Sequence, residues 1–131
     1  MSPAHMERIE AAIRIVLEFK DAYNRHDLTV LMQCMSDDCV LETAEPAPAG
    51  TRLAGKAALA EFWQEFFRRL PDAHLEVEEI IGLGRHCILR WRSEGSEPGG
   101  QPSHLRGVDL FKVTDGLISE RLSYVKAGAG T

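Results

Sequence analysis

The chain has 131 residues, 44% hydrophobic and 27% charged, which is enough to form one folded domain (residues 1–131) without a metal or disulfide. A formal net charge of −5 argues against nucleic-acid binding, because affinity for a duplex depends on cations that neutralise phosphates. No apolar run approaches the roughly 20 residues that cross a bilayer, and the first residues lack the apolar segment of a secretory signal. We therefore expect a cytoplasmic protein with neither nucleic-acid nor membrane partners.

Hydrophobic periodicity predicts three helices in the first half of the chain. Residues 7–25 carry apolar side chains at helical spacing, with charged residues between them. A short second helix, about 28–35, follows Asp27, whose carboxylate is well placed to cap it. The third helix, 56–70, has an apolar and aromatic face and ends before Pro71.

The segments between these helices predict a first strand and a loop. Asp37 and Asp38 are expected to end the second helix, and 39–43 reads as a strand. Residues 45–55 are rich in Pro, Ala and Gly and are predicted to form a loop.

The second half of the chain reads as an antiparallel sheet. The predicted strands are 74–81, 87–92, 105–113 and 117–125. Turns are expected at 82–84 and, as a long connection, at 94–102, while Asp115-Gly116 is a strong hairpin signal. The tail at 127–131 is expected to fray, which leaves an ordered core of about 7–125. The element order, α-α-β-α-β-β-β-β, indicates an α+β fold with helices on one face of a curved sheet.

Five short segments carry a family resemblance. They are Tyr23–Leu28, Met35–Val40, Leu53–Leu59, Arg106–Phe111 and Asp115–Ile118. In this order they resemble the SnoaL-like branch of the nuclear transport factor 2-like proteins. The resemblance implies a cone-shaped fold with three helices on a curved, mainly antiparallel sheet. It also implies a hydrophobic cavity between sheet and helices, and a homodimer formed through the outer face of the sheet.

Ketosteroid isomerases belong to the same superfamily and use an Asp base with a Tyr and a protonated Asp as oxyanion donors. The resemblance places the base position on Thr43, the donor Tyr position on Phe19 and the donor Asp position on Asp109. Only Asp109 keeps the residue type, and Glu42, beside Thr43, should point to the opposite side of a regular strand.

Two other enzyme types of the superfamily are matched in part. Arg92 and Glu94 resemble the Arg-x-Asp pair of limonene epoxide hydrolase, whose second carboxylate position falls on Ser123. In SnoaL-like polyketide cyclases an acid near the last strand protonates the substrate carbonyl, and the nearest acid here is Glu120.

Asp109 lies between Val108 and Leu110 in a predicted strand, where an isolated carboxylate is costly. It is interpreted either as a cavity acid kept neutral by desolvation or as a structural partner of Arg92 or Arg121.

The candidate site therefore has a catalytic and a ligand-binding set. The catalytic candidates are Asp109, Arg92 and Glu94. The candidate ligand-binding residues are Phe19, Tyr23, Thr43, Trp63, Phe67 and Ser123.

No cofactor is expected. The five histidines lack metal-ligand spacing, and no glycine-rich phosphate loop or GxSxG elbow occurs, so we expect no metal site. The three cysteines are odd in number and have no CxxC spacing, which predicts buried free thiols in a reducing compartment. They are Cys34, Cys39 and Cys87.

The sequence favours a protein that binds a hydrophobic, carbonyl-bearing small molecule, with cofactor-free isomerisation or cyclisation as its chemistry if it is an enzyme. A noncatalytic ligand-binding or dimerisation module is the first alternative. An epoxide hydrolase that uses Arg92 and Glu94 is the second.

Overall fold

The computed structural model describes residues 2–46, 48–96 and 102–126 and confirms the three predicted helices. They are α1 (Pro3–Arg25), α2 (Leu28–Gln33) and α3 (Lys56–Arg69). Helix α1 begins earlier than expected because the Ser2 side chain accepts a hydrogen bond from the His5 backbone N–H, with Pro3 in the first turn. The predicted cap on α2 is confirmed, since Asp27 accepts from the Val30 N–H at 3.1 Å.

Six strands form one sheet. They are β1 (Met35–Glu42), β2 (Arg52–Ala54), β3 (His74–Leu83), β4 (His86–Ser96), β5 (Pro102–Thr114) and β6 (Leu117–Val125). Their order across the sheet is β2-β1-β6-β5-β4-β3. All neighbours are antiparallel except β1 and β6, which are parallel, so the expected mainly antiparallel sheet is confirmed.

The first strands differ from the prediction. Asp37 and Asp38 lie inside β1 rather than at a helix end, because the chain enters the sheet at Met35, which is buried and pairs with Ile118. The predicted loop 45–55 contains β2, whose three residues pair with β1. Such a short edge strand is set by its neighbour rather than by its own pattern.

The long hairpin of β4 and β5 also extends beyond the prediction. The two strands stay paired from His86 with Lys112 out to Ser96 with Pro102, so most of the predicted connection 94–102 is strand. The remainder of that connection and the predicted fraying tail lie outside the described residues.

The predicted Asp115-Gly116 hairpin is confirmed. Both residues have positive φ, 53° and 78°, as a two-residue type I′ turn requires. From this turn the pairing runs through Val113 with Ile118 and then shifts by one residue between Val113 and Lys112. That shift places Asp109 opposite Ser123 and Phe111 opposite Arg121.

Helices α1 and α3 cover one face of the sheet, called the inner face here. On α1 the buried residues include Val16 and Phe19, and on α3 they are Leu59 and Trp63. Helix α1 approaches β3 closely at Gly82, where an added Cβ would lie 2.7 Å from the Ile9 side chain. Within the described ranges, no helix is both long and apolar enough to span a bilayer.

The opposite, outer face of the sheet carries a continuous apolar row. Ile81, Ile88, Leu110 and Leu122 are direct cross-strand neighbours on β3, β4, β5 and β6. Because side chains alternate along a strand, the inward-facing Asp109 turns Leu110 outward. Such a row on a solvent-facing sheet is typical of a covered surface.

We expect two copies of the chain to pair through this row, so sedimentation at micromolar concentration should give twice the mass of one chain. Leu110→Lys places a charge at the centre of the row and should yield monomers. Met6→Lys is the matched control, since Met6 is 49% exposed on α1, away from the row. A monomeric wild type would contradict the expectation.

Candidate functional site

A large cavity opens between the inner face of the sheet and α3. Its volume is about 1380 Å³, which exceeds the roughly 300–1,000 Å³ of ordinary ligand pockets. Aromatic and aliphatic side chains form much of the wall. They include Phe62, Trp63, Phe66, Leu75, Trp91 and Leu105.

A buried ion pair lies on the sheet side of this cavity. The Arg121 Nε group donates a hydrogen bond to Asp109 Oδ2 at 3.0 Å, and Nη2 lies 2.8 Å from the same oxygen in a salt bridge. The side chain of Asp109 is 0% exposed and that of Arg121 is 11% exposed. Of the two interpretations of Asp109, the structure shows the ion-paired one, with Arg121 as the partner.

Aromatic rings complete the surroundings of Arg121. Its guanidinium carbon lies 5.4 Å from the ring centroid of Phe19 and 5.3 Å from that of Trp63. The two rings meet edge to face at 5.9 Å. Cation–π attraction and the ion pair together hold the guanidinium in one orientation.

Arg121 nevertheless retains hydrogen-bonding capacity. An arginine has five N–H donors, and the contacts with Asp109 involve only its Nε and Nη2 groups. Within the described part of the chain the Arg121 side chain has no other hydrogen-bond partner, and it borders the cavity. Its remaining N–H groups are therefore available to an acceptor bound there.

Tyr23 lines the same cavity from the end of α1. Burial raises the pKa of its hydroxyl to about 12, the Arg121 charge lowers it by a smaller amount, and the Asp109 charge raises it. The hydroxyl is therefore neutral at physiological pH and can donate a hydrogen bond.

Trp91 reaches the wall of the cavity because its cross-strand partner is Gly107. A Cβ at position 107 would lie 2.5 Å from Cζ2 of the Trp91 ring and 2.5 Å from the Tyr124 carbonyl oxygen. The glycine thus lets the indole lie over β5. The indole N–H groups of Trp63 and Trp91 are buried and make no hydrogen bond with the described residues.

The structure brings some of the predicted site residues together. Tyr23, Thr43, Trp63, Ser123 and Glu94 border the cavity. Asp109 lies behind Arg121 rather than at the cavity surface.

Three predicted site residues have other surroundings. Phe19 is fully buried and packs on Trp63 and Arg121. Phe67 stacks on His26 at 4.6 Å between ring centroids. Arg92 follows the inward-facing Trp91, so it points away from the cavity, which it does not border, and its Nε lies 3.3 Å from Oε1 of Glu94.

The candidate set from the sequence lacks Arg121 and Trp91, which both border the cavity. The sequence indicates Arg121 as a possible partner for Asp109 and assigns no role to Trp91. Alternation provides a signal for both, because Cys87, Leu89 and Trp91 share a face and Arg121 shares one with Ser123.

The cysteines are buried free thiols, as predicted. Burial raises the pKa of Cys34, Cys39 and Cys87 to about 11, which keeps the thiols protonated and poorly nucleophilic. Among the described residues, no group of three His, Cys, Asp or Glu side chains could hold a metal ion.

Comparison with known proteins identifies a matching protein family. The model of the SnoaL-like domain matches residues 16–121. No curated protein gives a significant match.

Solved structures share the fold. An NTF2-like protein of unknown function from Mesorhizobium loti is 33% identical, with a TM-score of 0.79, over 92% of this chain and 94% of that one. A candidate SnoaL-like polyketide cyclase from Jannaschia sp. CCS1 is 19% identical, with a TM-score of 0.81, over 96% and 90%. A candidate ketosteroid isomerase from Kribbella flavida DSM 17836 is 19% identical, with a TM-score of 0.78, over 92% and 81%.

The ion pair between Asp109 and Arg121 leads to a prediction about the free energy of unfolding. Arg121→Met leaves the Asp109 carboxylate buried without a partner and should lower the free energy of unfolding by about 3–5 kcal/mol. The double variant Asp109→Val/Arg121→Met removes both charges and should fall within about 1 kcal/mol of the wild type, or exceed it. Urea unfolding at neutral pH measures both. A double variant as unstable as the single one would contradict this account.

The raised pKa of Tyr23 leads to a prediction about folding stability at alkaline pH. Its folded pKa of about 12 lies above the ordinary value of 10.0, so its contribution to stability is complete below pH 10.0 and is lost as the pH rises towards 12. Urea unfolding across that window should show a steeper fall for the wild type than for Tyr23→Phe. Tyr124→Phe, at a residue 49% exposed, is the control and should retain the wild-type slope.

Proposed function

The chain belongs to the SnoaL-like domain family, and we propose that it binds a hydrophobic, carbonyl-bearing small molecule in the cavity between the sheet and α3. The apolar wall would enclose the body of the ligand, and the polar groups on the sheet side would bind its oxygen. A few directed polar groups in an otherwise apolar cavity are typical of small-molecule sites.

The observation that carries this proposal is the state of Arg121. Its guanidinium is held by Asp109, Phe19 and Trp63, yet it keeps unpaired N–H donors beside the cavity. A donor that is already fixed loses little conformational entropy when it binds an acceptor. Tyr23 adds a neutral hydroxyl donor to the same cavity.

The same donors suit cofactor-free isomerisation or cyclisation. In such reactions negative charge develops on a carbonyl oxygen, and fixed N–H and O–H donors stabilise it. Asp109 would act through Arg121, because it lies behind the guanidinium and is fully buried.

The noncatalytic alternative is favoured by the positions of the acids. The carboxylates that border the cavity, among the described residues, belong to Glu45, Glu61, Glu65 and Glu94, and all four are exposed. A general base needs to reach the proton that it removes. We therefore place ligand binding first and catalysis second.

The epoxide hydrolase alternative has less support. It requires Arg92 and Glu94 to act on a ligand together, whereas Arg92 lies on the outer face of the sheet.

Binding can be tested with the two tryptophans of the chain, because Trp63 and Trp91 both line the cavity. Their indole N–H resonances should shift when 2-acetylnaphthalene is titrated into the wild type. We expect at least about ten-fold tighter binding than for 2-ethylnaphthalene, since a hydrogen bond to a charged donor contributes about 1.5–3 kcal/mol.

The double variant Asp109→Val/Arg121→Met should lose the difference between the two compounds. Arg14→Met, on an exposed part of α1, is the matched control and should keep it. The proposal is overturned if neither compound shifts the indole resonances, or if Arg92→Met rather than the double variant abolishes the preference for the ketone.

A further inference from the structure

The Arg121 guanidinium borders the cavity, and the Asp109 carboxylate binds it from the side away from the cavity. We infer that the Asp109 carboxylate makes the cavity select neutral carbonyl compounds over carboxylates of the same shape. This inference rests on the proposed function, because it concerns the class of ligand that binds beside Arg121. Asp109 is thus a specificity-determining residue that does not touch the ligand.

The first step is the geometry of the pair. The Nε and Nη2 groups of Arg121 both lie against Oδ2 of Asp109, and Oδ1 is buried with no hydrogen-bond partner among the described residues. A carboxylate that accepts hydrogen bonds on one oxygen alone keeps negative charge that no second donor offsets. A ligand at the free N–H groups of Arg121 therefore experiences both charges.

The second step is the distance. A ligand carboxylate on the free side of the guanidinium would lie about 6–7 Å from the Asp109 carboxylate, and at an effective dielectric of 20 their repulsion corresponds to a factor of about 10–100 in affinity. The rings of Phe19 and Trp63 exclude water around the guanidinium, which limits screening. A ketone oxygen carries no net charge, so it gains the hydrogen bonds without this repulsion. A carboxylate must also lose its hydration to reach Arg121, and that cost offsets its attraction to the guanidinium.

The third step is the charge at the mouth of the cavity. Four glutamates and two further arginines, Arg68 and Arg69, border its outer part. Arg68 is bound to Glu65, and Glu94 lies 3.3 Å from Arg92. The mouth therefore adds no excess of positive charge that would draw an anion inward.

The test uses 2-acetylnaphthalene and 2-naphthoate, which have the same skeleton and nearly the same shape but differ in charge. Wild-type protein, followed by the indole resonances of Trp63 and Trp91, should bind the ketone at least ten-fold more tightly. Asp109→Asn keeps an oxygen for Arg121 but removes the negative charge. It should raise the affinity for naphthoate relative to the ketone by about 10–100-fold.

The variants also separate specificity from folding. Asp109→Ser is a second neutral variant in case Asp109→Asn does not fold. Asp109→Asn/Ser123→Asp returns a carboxylate to the adjacent strand and should restore the exclusion of naphthoate. If Asp109 has a purely structural role, its neutral variants should lose affinity for both compounds equally.

The outcomes distinguish the two proposals. If neither compound binds to the wild type, the proposed function itself is overturned. If both bind and naphthoate is equal or tighter, or if a folded neutral variant leaves the ratio unchanged, only the inference about Asp109 is overturned.

Discussion

The ion pair between Asp109 and Arg121 is the interaction on which the candidate site depends. Each charge alone would be costly inside an apolar wall, and each is tolerated because the other lies within 3.0 Å. The pair sets the direction of the guanidinium, and the guanidinium supplies the charged donors on the sheet side of the cavity. The polar character of the cavity is therefore a property of two adjacent strands acting together.

The sheet makes this pair possible through its register. The two-residue turn at Asp115 and Gly116, together with the one-residue shift in pairing next to Lys112, aligns β5 with β6 so that Asp109 and Arg121 both face inward. Helix α1 then adds Phe19 and Tyr23, and α3 adds Trp63, which close the remaining sides. The aromatic residues consequently have two roles, since they fill the core and also form the wall of the cavity. Gly107 belongs to the same arrangement, because its lack of a side chain allows Trp91 to lie over β5.

Much of the fold was predictable because local patterns were consistent with it. The three helices have clear apolar periodicity, the cap on α2 has an Asp in the correct place, and the last hairpin has the residues that its turn requires. The short strand β2 and the early start of β1 were missed, because their pairing partners determine them. Asp37 and Asp38 are polar and exposed, and they are strand because β1 continues to the buried Cys39 and Leu41.

The sequence by itself determined the family, the helical half and the antiparallel half. These depend on neighbours within a few residues, where periodicity and turn chemistry act. Tertiary structure alone decided that Asp109 pairs with Arg121 and not with Arg92. It also decided that Arg92 lies on the outer face and that Trp91 joins the cavity wall. The physical reason is that these partners lie on different strands. Which cation reaches a buried carboxylate depends on strand register and facing direction, and both are set by the packing of the whole sheet against its helices.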